Sequence, residues 1–191
     1  MHSEKKSAIV AYAVVLFLCL VWVGGTILAP LLEARGAHIT GASSSAANSR
    51  WLLAGMFVRA LYHLVCHQLP ERSIWLGSHP IAVCARCFGI YLGYLLGLIV
   101  YPWTGRFAKQ ESPGRIWLVL SMIPIGLDFA GGYLGLFENS AGSRIATGLI
   151  AGFACVFYTM PGLVATAITL LRKTGRFGAF NNSLHTGLAA R

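Results

Sequence analysis

Charge is scarce in this chain. Lysine, arginine, aspartate and glutamate make up 11% of its 191 residues, and only six residues are acidic; an ordinary soluble domain carries about 25% charged residues. That excludes a solvated globule and turns attention to the 56% of residues that are apolar. Catalytic signatures are missing too. There is no P-loop, dinucleotide fingerprint, paired-carboxylate pattern or nucleophile triad. The basic residues do not gather into a face interleaved with stacking aromatics, so the net charge of +9 does not point to nucleic acid.

What is present is long apolar runs. A helix needs about 20 such residues to cross the hydrocarbon, where every backbone polar group has to be satisfied internally. Residues 8–32, 81–101, 116–137 and 145–171 meet that requirement, and the lipid bilayer is the partner they imply. The first run exceeds the 7–15 residues of a signal-peptide core and has no small-x-small cleavage site, so a retained helix is expected. Lys5, Lys6, Arg106, Lys109, Arg115, Arg172, Lys173 and Arg176 fall on the side of the two tails and the second connection. The positive-inside rule makes that side cytoplasmic, giving an inner-membrane protein with both termini inside. One domain over 8–171 follows, with cytoplasmic tails at 1–7 and 172–191 and an extracytoplasmic insert at 33–80.

Within the insert, "GAHITGASSSAANSR" has no period and reads as an exposed linker. The next segment, "RWLLAGMFVRALYHLVCHQLP", repeats Arg59, His63 and Cys66 or His67 along one helical stripe. Its polar content predicts an interfacial or re-entrant amphipathic helix, with a fifth span as the rival. The fold class is therefore all-α, a bundle of four transmembrane helices plus this shorter one. The second spanning helix is expected to begin near Ser78 or Pro80. Gly89, Gly93 and Gly97 form a flat face on it and Gly148 and Gly152 another on the fourth, surfaces suited to helix packing or to a homo-oligomer. Pro161 is expected to kink the fourth span.

The soft ligands cluster at the mouth of the second span. Cys84 and Cys87 stand one turn apart at a helix start, where the macrodipole and Arg86 favour thiolate. His63, Cys66 and His67 follow the spacing by which one helical face offers two donors to an ion. Cys66, Cys84 and Cys87 with His63 or His67 would complete a tetrahedral zinc-like site. Two alternatives stay open. The thiols could form a disulfide or a redox pair using Cys84 and Cys87, or be unrelated core cysteines, the reading given to Cys19 and Cys155. Haem attachment is excluded because Phe88, and not His, follows Cys87. His79 reads as an exposed loop residue.

The string Cys66-His67-Gln68-x-Pro70-x-Arg72-Ser73, followed by Cys84-x-Arg86-Cys87-x-Gly89-Ile90-Tyr91-x-Gly93, resembles the signature of a family of small prokaryotic integral membrane proteins of unknown function. The resemblance continues through Pro124-x-x-x-Asp128 and Asn139 to Arg144-x-x-Thr147-Gly148. Two departures stand out: Pro80 lies four residues before the cysteine pair where the family has two, and Phe129 replaces a glycine after the aspartate. The resemblance implies a shared fold and site, and no activity.

Asp128 is the only acid within a span, at an insertion cost of about 2.5–3.5 kcal/mol. Arg144, across a short turn, is its first expected partner and Arg86 its second, as a structural clamp or as a relay beneath the cysteines. Arg72 and Tyr91 are further candidates. A metalloenzyme version would use Arg72, Arg86 or Arg144 to hold an anionic substrate near the lipid headgroups.

Overall fold

The first apolar run continues without a break as one helix, α1 (His2–Ile39), about 57 Å long at 1.5 Å per residue. In this computed structural model the backbone of residues 2–39, 46–105 and 112–188 and the side chains of residues 8–36, 50–105 and 112–170 are described. The remaining helices are α2 (Ala46–His63), α3 (Ala85–Val100), α4 (Arg115–Tyr133) and α5 (Ala141–Leu188). Four stretches are long and apolar enough to cross a membrane: Ala8–Gly36, Ala85–Thr104, Arg115–Tyr133 and Ala141–Leu170. They correspond to the four expected spans. α2 is not among them. It also takes in the last residues of the expected linker, whose central residues 40–45 lie outside the described ones.

α2 lies along α1 and is fixed there by buried polar contacts. Arg59 donates from Nε and Nη2 to the two oxygens of Glu33 at 2.9 and 2.8 Å. Its Nη2 also reaches the Pro80 carbonyl at 2.9 Å, so one guanidinium ties α1, α2 and the segment before α3 together. Such a fork suits a carboxylate in a partly buried setting. Tyr62, buried, donates to the Trp22 carbonyl, which is accessible because Gly25 has no side chain in the way.

All-α needs correcting. After α2 a 3₁₀ turn (Pro70–Arg72) leads into an antiparallel hairpin, β1 (Ser73–Leu76) and β2 (His79–Cys84), with Leu76 opposite His79. The turn is Gly77-Ser78, with Gly77 at φ +63°, a conformation open to glycine. Residues 79–84 are thus strand, and the second spanning helix begins at Ala85 with Cys84 as its cap residue.

α3 and α5 form the central pair. A methyl group on Gly93 would lie 2.8 Å from the Leu149 carbonyl carbon and closer still to its oxygen; one on Gly152 would meet the Ile90 carbonyl in the same way. Gly89 opposes Ile145 and Gly148 opposes Arg86, so the two glycine faces pack on each other within one chain. They are not free to serve a second copy. Pro161 sits inside the continuous α5. α4 is peripheral, with 11% of its 18-residue apolar stretch buried against 39% for that of α5. The seam gives a direct prediction. Gly93→Ala should destabilise the protein by about 1–3 kcal/mol, the usual cost of overpacking, while Gly162→Ala, with nothing within 4 Å, should leave the melting temperature in detergent unchanged. Equal melting of both variants would contradict the seam.

Candidate metal centre and its basic cavity

Where α2 ends, the chain turns back on itself. The Val65 and Cys66 amides donate to the Tyr62 carbonyl at 3.1 and 3.0 Å. Gln68 adopts φ +54°, uncommon for a residue with a side chain, and its Nε2 donates to the Arg59 carbonyl at 2.7 Å. Ser73 Oγ then donates to the Leu69 carbonyl at 2.9 Å. These bonds swing Cys66 inward, where it is 7% exposed and packs with Tyr62, Ile81 and Val83.

Cys84 closes β2 directly opposite Ser73, and its amide donates to Cys66 Sγ at 3.2 Å. Cys87 follows on the first turn of α3. The sulfurs of Cys66, Cys84 and Cys87 all lie within 4.8 Å of one another, and all three are free thiols. The Cys84 thiol is pulled well below the ordinary thiol range, chiefly because the Cys87 thiol bonds to it, against the opposing effect of burial. A zinc ion at about 2.3 Å from each thiolate asks for sulfurs about 3.8 Å apart, so the spacing and the softness of the donors fit a thiophilic ion.

The histidines stand elsewhere. His63 closes α2 and His67 follows Cys66; both are exposed and outside the thiol group. His79 is half-buried, with Nδ1 3.7 Å from Glu33. Tyr91 packs beside the thiols and meets Trp22 edge-on at 6.0 Å.

Next to the thiols lies a cavity of about 850 Å³ whose wall includes Cys84, Cys87, Arg72, Arg86 and Arg144. Asp128 is buried and pairs with Arg86, not with the first-ranked Arg144. The reason is geometric: the first turn of α3 faces α4 across the cavity, while Arg144 lines the same space without bonding to the carboxylate. Asn139 Nδ2 braces the aspartate by donating to its carbonyl at 2.7 Å and, more weakly, to Oδ2 at 3.4 Å. Phe129, the departure from the family pattern, supports Arg86 with its ring 5.9 Å below the guanidinium carbon. Sequence reasoning named Arg59 and Gln68 without giving either a role in the scaffold, and did not connect Arg59 with Glu33. A basic residue in α2 and an acid closing the first span, both within apolar surroundings, were the available signal.

Fold and site together define a multi-pass helical membrane protein with a thiol cluster at the end of a spanning helix. The chain belongs to the family described as predicted membrane protein (DUF2085), which its residues 66–158 match. An uncharacterized protein of Methanocaldococcus jannaschii is 41% identical over 111 residues, which cover 58% of this chain and 71% of the relative. An uncharacterized protein of Methanothermobacter thermautotrophicus is 32% identical over 101 residues, or 51% and 86%. The family match opens on Cys66 and includes every residue of the thiol group and the cavity wall. No solved structure matches the chain.

Proposed function

We propose that the protein is a metal-binding inner-membrane protein in which Cys66, Cys84 and Cys87 hold one zinc-like ion at the outer mouth of α3. The observation that carries this reading is the convergence of three free thiols from separate segments to within 4.8 Å. Three protein donors beside a cavity match the arrangement of open sites rather than closed structural ones. Such an ion, when bound, supplies a Lewis-acid centre. Arg72 and Arg144 are the groups positioned to orient what enters, and Asp128 holds Arg86 at the wall. Exposed His63 or His67 would complete a closed site only by moving toward the thiols. A thiol-redox reading is favoured by one feature, the depressed Cys84 thiol beside Cys87. Elemental analysis in mild detergent with a free-thiol count separates the two: a metal with all five thiols present supports the first, and two missing thiols support the second.

In this reading the tails are cytoplasmic. A reporter fused after Arg191 should be active only in its cytoplasmic form, because Lys5, Lys6, Arg115, Arg172 and Lys173 bias that side. An extracytoplasmic reporter signal would place the thiol cluster on the other face and withdraw the orientation.

A further inference from the structure

The cavity beside the thiols has a charge pattern that a metal site alone does not require. Arg72, Arg86 and Arg144 line it, against one acid, Glu138. Arg86 is already matched by Asp128. Arg72 and Arg144 have no ion pair among the described residues, and they arrive from different elements, the 3₁₀ turn before β1 and the first turn of α5. α3 and α5 both start at this end, so the positive ends of helices 16 and 48 residues long add to the same field. Asn139 adds a polar group to the wall, and Ile90, Phe129 and Phe137 give it an apolar side. At about 850 Å³ the space is that of a small-molecule site.

We propose that this cavity binds a phosphate group, held between the guanidinium forks of Arg72 and Arg144, with the organic portion of its carrier against Phe129 and Phe137. Guanidinium forks match phosphate oxygens bidentately. Carboxylates are a weaker fit because they offer two oxygens to two guanidinium groups, where a phosphate offers more. The inference deepens the metal reading and rests on it in one respect: Cys84, one of the proposed ligands, also lines the cavity. The carrier is either a phospholipid headgroup entering from the bilayer or a phosphate compound arriving from water.

The test uses the full chain, as purified, in phosphatidylcholine nanodiscs. Inorganic phosphate is titrated calorimetrically, and in a second arm discs containing phosphatidic acid are titrated in the same way. The expected result is phosphate binding that weakens about tenfold in Arg72→Gln or Arg144→Gln and about a hundredfold in the double variant, the scale of lost charge-assisted bonds. Loss of the phosphate response in phosphatidic acid discs supports the site and assigns it to a headgroup; an undiminished response supports it and assigns it to soluble phosphate. No binding in either disc, or equal binding by wild type and double variant, overturns the proposal. Zinc content and elution profile are read on the same samples. Full zinc without phosphate binding sinks this inference alone; arginine-dependent phosphate binding without zinc sinks the metal reading alone.

Discussion

Cys84→Ser is expected to take the purified protein from about one equivalent of bound metal to essentially none. A serine hydroxyl is a poor ligand for a thiophilic ion, and Cys84 stands between the other two donors: its amide bonds Cys66 Sγ and its thiol bonds Cys87. The substitution leaves two sulfurs, too few to hold the ion. The melting temperature should fall as well, because an ion binding only the folded chain adds its binding free energy to stability. Cys19→Ser and Cys155→Ser serve as controls. Both cysteines lie apart from the thiol group, so full metal content is expected. Metal retained by Cys84→Ser would remove the proposed site. Metal-free wild type with three reactive thiols out of five would replace it by a disulfide.

Asp128→Asn should destabilise the protein by about 3–5 kcal/mol, the cost of leaving one member of a buried pair uncompensated. The carboxylate is 6% exposed and Arg86 is its only ionic partner among the described residues. Arg86 Nε is buried without a hydrogen-bond partner, so the guanidinium has little else to fall back on once the carboxylate is gone. The double variant Asp128→Asn, Arg86→Gln should recover much of the loss, measured by thermal unfolding in detergent. Asp128→Asn combined with Arg144→Gln should recover none. Recovery with Arg144 instead, or wild-type stability of Asp128→Asn alone, would overturn the pairing.

The spans were legible because the bilayer imposes a length that few other folds satisfy, and Asp128 was legible because an acid inside such a length needs a partner. The identity of that partner was not. Arg144 is near in sequence, but contact is decided by which helices pack, and Gly93 against Leu149 brings α3 to α5 in a way that turns Arg86 toward α4. The hairpin was hidden for another reason. "PIAVC" is a buried strand with no alternation, so it merges into the apolar run that follows, and only the short Gly77-Ser78 turn marks the break. The thiol group was half legible. Cys84 and Cys87 declare themselves by helical spacing, but Cys66 joins them through the Gln68 turn, which directs the cysteine inward and leaves His67 outside.

The glycine seam joins helices that are not neighbours in the chain, and this sets the order of biosynthetic assembly. α3 leaves the ribosome well before Gly152 is made. At about 5–20 residues per second the delay before its partner emerges is roughly 3–12 seconds. During that time α4 is the next segment to enter the bilayer, and it brings Asp128 to Arg86 before any of the seam can close. α1 already meets α3 through Trp22 and Tyr91, so the ion pair is the first contact that ties α3 to a later helix, a holding attachment made before its glycine-seam partner has been translated. A chain lacking it would present α4, with its uncompensated acid, to membrane quality control during the interval in which it is least able to defend itself.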